Sequence, residues 1–188
     1  GRPTQVVVSG RALATSPEDH PAASALERNV RRLAARSAGG RPVTVTFAGQ
    51  ARRVTAGDDG FFEAAFAAPA DRPFPPGLLP AEAEGYGVRG EGQVQVVSDA
   101  APFLLVTDLD DTLAITEVAS KRAVARAALL LDGATTPPVP GMAAFLRCAL
   151  EGTRPAAGAV VVSGTPVELA PRVQAFLAAG GFPFAGLR

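Results

Sequence analysis

The stretch Phe103-Leu104-Leu105-Val106-Thr107-Asp108-Leu109-Asp110-Asp111-Thr112 decides how the chain is read. An unbroken apolar run leads straight into a loop that carries Asp108, Asp110 and Asp111. A second apolar run, Ala159 to Val162, ends in Ser163-Gly164-Thr165-Pro166. Continuous apolar runs suit parallel strands buried on both faces. Between them, Met142, Phe145, Leu146, Ala149 and Leu150 fall on one stripe of a helix over Met142 to Leu150. Strand, helix, strand predicts a parallel α/β layer. Ligands of such sheets bind beyond the carboxyl ends of the strands. The acidic loop and Ser163 are therefore expected at one edge of one sheet.

The residue types at that edge point to phosphoryl chemistry. Asp108, Asp110 and Asp111 repel one another unless a cation or a proton offsets the repulsion. Mg2+ is the natural cation, being hard and oxygen-seeking. A carboxylate can attack phosphorus and carry an aspartyl-phosphate, which splits one hard hydrolysis into two easier steps. Asp108, first off the strand, is placed to be that nucleophile. Asp110, two residues on, can serve as general acid and then base. The hydroxyl of Thr112 can steady the loop. Ser163 can donate to a phosphoryl oxygen. Thr165-Pro166-Val167-Glu168 reads as a capping box with Pro at the first helical position, a helix start that favours an anion. Pro171 interrupts the pattern, so the regular helix is expected over Pro171 to Ala179 with Val173, Phe176 and Leu177 inward. Alone, an acidic turn also occurs as a solvated or structural cation loop, and Ser163 and Thr165 also occur as plain caps. Their joint position at strand ends favours the site.

Residues 1–98 read differently, as a small β-sandwich-like domain with one helix. Gln5 to Val8 forms a first strand. Leu26, Val30, Leu33 and Ala34 make an apolar stripe on a helix within residues 22–38, with Arg28, Arg31, Arg32 and Arg36 on its other side and Gly39-Gly40 at its end. Val43, Val45 and Phe47 alternate with Thr44 and Thr46, a strand with one buried face. Arg52 to Thr55 and Phe61 to Phe66, separated by Gly57-Asp58-Asp59-Gly60, read as a hairpin. Pro69 to Pro80 reads as a loop, and Val94 to Val97 as a last strand. The α/β domain then occupies residues 103–188.

Composition excludes several classes. The 188 residues carry no formal net charge, so no overall field draws in nucleic acid, and no nucleic-acid partner is expected. Cys148 and His20 stand alone, which excludes a disulfide and a multi-histidine metal site. His20 beside Pro21 reads as a surface residue, and Cys148, mid-helix, as a small core-side residue. No apolar run reaches the roughly 18 residues of a membrane span, and no signal peptide is visible, so a cytoplasmic location is expected. Residues 22–53 hold seven Arg against Glu27 alone, 7 − 1 = +6. A solvated helix face explains that charge. It would also allow peripheral membrane contact through Arg28, Arg31 and Arg32.

The motifs together resemble the actin-patch phosphatidate phosphatase family of the haloacid dehalogenase superfamily. The resemblance rests on Val106 to Leu113, Thr116-Glu117-Val118, Val139-Pro140-Gly141-Met142, Val162 to Pro166 and Phe176 to Arg188. It extends to the helix around Asn29 and to Asp59-Gly60-Phe61-Phe62. It implies a parallel three-layer fold and Mg2+-dependent release of phosphate from phosphatidate or a related lipid phosphate. It implies Asp108 as nucleophile, Asp110 as acid/base, Ser163 with Gly164 and Thr112 on the phosphate, and Asp108 with the Asp110 carbonyl on the metal. Leu109 and Thr165-Pro166-Val167 stand where relatives often have Ile and a Ser-Pro-Trp run. A phosphatase for a soluble phosphate ester and a non-enzymatic interaction module are the alternatives. Glu117 and Asp132 lie where a superfamily cap would sit.

The resemblance also implies a later Lys and a later acidic pair, which the 188 residues do not reach; Lys121 precedes Ser163. The α/β domain is accordingly expected to be incomplete, and the chain by itself weak or inactive. Mg2+-dependent turnover by residues 1–188 that disappears in Asp108→Asn would contradict that expectation. A Lys and an acidic pair in the reading frame beyond Arg188 would bear it out.

Overall fold

A computed structural model describes residues 1–14, 24–116, 133–183 and 186–187. These residues divide into two compact units. One holds residues 1–14 with Ala35–Ala101; the other holds residues 24–34 with those from Pro102 on.

The first unit contains six strands: β1 (Gln5–Arg11), β2 (Pro42–Phe47), β3 (Gln50–Thr55), β4 (Phe61–Ala67), β5 (Gly77–Gly85) and β6 (Val88–Val96). β1 pairs with β4 in one sheet, and the other sheet runs β3-β2-β5-β6. Every pairing is antiparallel. Val6, Val43, Val45, Phe47, Phe62 and Phe66 from both sheets share one core. The Phe47 ring lies 5.6 Å from that of Phe66 and 5.1 Å from that of Phe74, tilted and edge-on respectively. Such geometries suit the aromatic quadrupole.

The pairing corrects two sequence expectations. Residues 52–55 and 61–66 are not a hairpin. β3 pairs with β2, and β4 pairs with β1, so Gly57 to Gly60 passes between sheets. The real hairpin turn is Ala48-Gly49, where both residues have positive φ (47° and 77°). A two-residue turn of that kind matches the strand twist. Tyr86-Gly87 does the same between β5 and β6 (59° and 71°). β5 also lies partly inside the proline-rich stretch expected to be loop. Pro80 is tolerated because β2 pairs with β5 only over Ala81–Glu84, which leaves Pro80 with β6 alone as neighbour.

In the second unit, β7 (Leu104–Asp108), β8 (Gly158–Val162) and β9 (Gly186–Leu187) form a parallel sheet of order β7-β8-β9. Its helices among the described residues are α1 (Ala25–Leu33), α2 (Met142–Glu151) and α3 (Ala170–Ala179). Leu146 and Leu150 of α2 and Val173, Phe176 and Leu177 of α3 gather with Ala159 and Val161 in one core. The alternate positions Leu104, Val106 and Val162 are exposed, Val106 by 62%. Among the described residues the sheet is thus covered on one face. Phe145 and Cys148, read as core-facing, are exposed as well.

α1 is shorter than the apolar stripe predicted. Ser24 caps it by accepting from the Glu27 N–H at 3.2 Å, and Arg31 donates to Glu27 one turn on at 2.8 Å. Beyond Ala34 the backbone turns to other partners: the Ala14 N–H donates to the Arg36 carbonyl, and the Ala38 N–H to that of Ala12. Asn29 of α1 is buried, at 3% exposure, while Leu26, Val30 and Leu33 face outward.

Two substitutions probe the two cores. Phe47→Ala removes the ring at the centre of the sandwich core and is expected to cost about 3–5 kcal/mol in denaturant unfolding. Gly133 meets the Arg172 carbonyl so closely that an added Cβ would sit 2.1 Å from its oxygen, so Gly133→Ala is expected to destabilise the second unit measurably. An unchanged midpoint in either variant would refute the corresponding packing.

Candidate active site

The acidic loop alternates between core and solvent. Leu109 and Leu113 are buried, and Leu113 has no exposed surface. Asp108 and Asp111 are exposed; Asp110 and Thr112 are half-buried. The two leucines thus hold the loop down while the carboxylates stay near water. Hydrogen bonds lock the turn between them. The Leu109 carbonyl accepts from the N–H groups of Leu113 (2.9 Å) and Ala114 (3.0 Å), and the Ala114 carbonyl accepts from Asp111 N–H (2.8 Å). The loop is tied outward as well, for the Leu113 carbonyl accepts from Val139 N–H at 2.8 Å.

The three aspartates are not equivalent. Asp108 ends β7 directly opposite Val162, the last residue of β8. Asp110 faces the segment after β8, and its Oδ2 lies 3.5 Å from Ser163 Oγ. Asp111 turns to other partners. Its Oδ1 accepts from Thr116 N–H at 2.8 Å and from the Thr116 hydroxyl at 3.2 Å. Its backbone is left-handed, with φ 55°, a conformation that Asp and Asn tolerate better than most residues. So Asp111 shapes the loop, a role invisible in the sequence because it depends on where residue 116 returns.

Ser163 is held by Thr165. It accepts from the Thr165 N–H at 3.1 Å and donates to the Thr165 hydroxyl at 2.9 Å. A hydroxyl has one proton to give, so the longer approach to Asp110 is the alternative use of that proton. The expected capping box is not formed. A 3-10 turn, Val167–Leu169, follows with Pro166 at its N-cap and no side-chain cap. Thr165 instead bonds back to Ser163. Gly164 is open: a Cβ built there would meet nothing within 4 Å. A ligand can therefore approach its backbone closely.

The structure thus joins Asp108, Asp110, Ser163 and Gly164 at the carboxyl edge of β7 and β8, with Thr112 in the same loop. It adds Thr165 and Thr116, which the sequence did not single out as supports. His20, Glu117, Lys121 and Asp132 lie outside the described residues. Among the described residues no three His, Cys, Asp or Glu side chains cluster around a possible metal position. Asp111 Oδ1 is engaged with Thr116, whereas Asp108 and Asp110 lie at the strand edge. Asp108 and Asp110 would still suit Mg2+, an ion that commonly takes one or two carboxylates and completes its octahedron with water and substrate phosphate.

The division of labour among the aspartates is testable by unfolding. Asp111→Asn keeps an acceptor oxygen and a residue tolerant of positive φ, and is expected to stay within about 0.5 kcal/mol of the parent. Asp111→Val loses both and is expected to cost about 1–3 kcal/mol. Equal stabilities for the two variants would show that Asp111 does not hold the turn.

Three comparisons bear on identity. No curated protein sequence matches the chain. Among solved structures, a novel carbohydrate acetylesterase from Xanthomonas citri aligns over 99% of this chain and 56% of its own length, with 10% identity and a TM-score of 0.36. The chain thus spans little more than half of that protein, and the likeness is too distant to carry an argument. Residues 103–188 match the family described as phosphatidate phosphatase APP1, catalytic domain. That segment holds both strand ends of the site, and over it the chain is similar to the phosphatidate phosphatase catalytic domain.

Proposed function

We propose that the chain carries the nucleophile loop of a Mg2+-dependent phosphatase that acts through an aspartyl-phosphate, on phosphatidate or a related lipid phosphate. One observation supports this most directly: Asp110 and Ser163, 53 residues apart in sequence, approach to 3.5 Å beside Asp108 within the matched segment. Two carboxylates and a hydroxyl at one strand edge are what a two-step phosphoryl transfer needs.

In the first step an Asp108 carboxylate oxygen attacks phosphorus. The bond from phosphorus to the ester oxygen breaks, and Asp110 donates its proton to the leaving alcohol. In the second step Asp110, now ionised, takes a proton from water. The water oxygen attacks phosphorus, the bond to Asp108 breaks, and inorganic phosphate leaves. Ser163, its proton turned from Thr165 to the substrate, and the Gly164 N–H would hold phosphoryl oxygens, with the Thr165 N–H keeping the Ser163 oxygen in place. Thr112 would keep its side chain near the phosphate. Mg2+, held by Asp108 and the Asp110 carbonyl, would supply positive charge against the phosphate. The lipid substrate and peripheral membrane contact through Arg28, Arg31 and Arg32 belong to the same reading. No helix among the described residues is long and apolar enough to cross a membrane.

The test is phosphate release by the product of the whole reading frame, with Mg2+, on phosphatidate vesicles and on sugar phosphates. Asp108→Asn is expected to abolish turnover. Asp110→Asn is expected to lower kcat by about 10²–10⁴-fold, and Ser163→Ala by about 10²-fold. Full activity in Asp108→Asn would overturn the mechanism, and a preference for sugar phosphates would overturn the lipid substrate.

A further inference from the structure

β6 is a long edge strand with an open side. It ends the sheet β3-β2-β5-β6, and its first six residues, Val88 to Gln93, are all exposed. Its register with β5 runs unbroken from Gly85↔Val88 to Gly77↔Val96, with no bulge. The turn Tyr86-Gly87 has positive φ at both residues, so Gly85 and Val88 exchange hydrogen bonds across it. Bonded and non-bonded pairs alternate along an antiparallel ladder. The backbone groups of Arg89, Glu91 and Gln93 therefore point away from β5. The same parity holds further along, where Gly1 occupies the edge. It donates to the Gln95 carbonyl at 2.7 Å and accepts from the Val97 N–H at 3.0 Å. Among the described residues nothing bonds the backbone of Arg89, Glu91 or Gln93 on that side.

An open edge of this kind pairs with another strand unless something opposes it. At the other edge of the sheet, β3 carries Arg52 beside Arg53, so two copies of it would bring like charges together. β6 carries charges of opposite sign, Arg89 and Glu91, on one face. Arg89 bonds Glu82 of its own chain, and the Glu91 side chain stays 75% exposed. That pattern is complementary to itself. Antiparallel registers centred on Arg89, Gly90 or Glu91 all let two copies of β6 bond through the open groups. Centred on Arg89 or on Glu91, they set like charges face to face. Registers shifted further along run against Gly1 at Gln95. Centred on Gly90, the register sets Arg89 opposite Glu91 of the second copy and Glu91 opposite Arg89 of the second copy. The other face fits as well. Gly90 meets Gly90 of the second copy, where Cα atoms approach to about 4.5 Å, and Val88 meets Gly92 of the second copy. A Cβ built on Gly92 would touch nothing within 4 Å, which leaves room for Val88, itself 38% exposed.

We propose that two copies of the chain pair through β6 in the antiparallel register centred on Gly90, joining their four-stranded sheets into one continuous sheet. The partner is a second copy because one strand supplies both halves of every match: open donors and acceptors, opposite charges, and a side chain for the space above a glycine. The proposal does not depend on the phosphatase reading.

Sedimentation of the 188-residue chain is expected to show a concentration-dependent dimer. Arg89→Glu and Glu91→Arg each set like charges across the two strands, and each is expected to weaken the dimer at least about tenfold. Mixed with each other, the two variants are complementary again and are expected to restore the dimer. Mixing would not repair a misfolded variant, so restoration isolates the interface. Gly90→Cys gives a second readout, for a Cβ there meets only the Ala83 carbonyl oxygen, at 4.0 Å. With the exposed Cys148 replaced by Cys148→Ser, Gly90→Cys is expected to form a disulfide between two copies under a mild oxidant. A chain that stays monomeric, a dimer that Glu91→Arg leaves intact, a mixture no tighter than either variant alone, or no disulfide through Gly90→Cys would overturn the proposal.

Discussion

Everything at the candidate site depends on the burial of Leu109 and Leu113, which flank Asp110 and Asp111 in a loop of carboxylates that repel one another. Each fully buried leucine contributes about 1.5–3 kcal/mol. That is enough to hold a loop whose acidic side chains would otherwise spread apart. The backbone adds direction. One carbonyl, that of Leu109, closes the turn by accepting two N–H groups, and that of Leu113 ties the loop to Val139. The loop is thereby rigid where it is apolar and open where it is charged. A site that must hold a cation and an anion needs that combination.

From this anchor the rest of the edge follows. The parallel register sets Asp108 against Val162, so the residue after β8 emerges beside the acidic loop. Ser163 can then reach Asp110, and Thr165 fixes the Ser163 hydroxyl from the far side. Asp111 turns its Oδ1 to Thr116. Three aspartates that look alike in a string of letters thus divide into two that face the edge and one that builds it.

The chain was legible in the sequence where a local pattern and its environment agree. β2 shows one-sided alternation and is half-buried; the inward residues of α3, Val173, Phe176 and Leu177, are in the core as their spacing requires. The order of strand and helix around Asp108 and Ser163 was readable for the same reason. Strand partners were not. Nothing local says that β3 joins β2 and β4 joins β1, because Asp58-Asp59-Gly60 looks like a hairpin turn and Ala48-Gly49 does not. β5 was obscured by its prolines, since whether a proline is tolerated depends on the neighbouring strand. The stripe of α1 gave the helix but the wrong inward face.

By itself the sequence determined the chemistry on offer: the acidic loop after an apolar strand, the hydroxyl after a second one, and the alternation that keeps leucine between carboxylates. These are properties of consecutive residues and need no partner to be read. Tertiary structure alone decided which aspartate meets Ser163, what Thr165 does and which side of α1 is left bare. Those outcomes turn on contacts between residues distant in sequence, where a hydrogen bond or a packed face exists only after the strands have chosen their register.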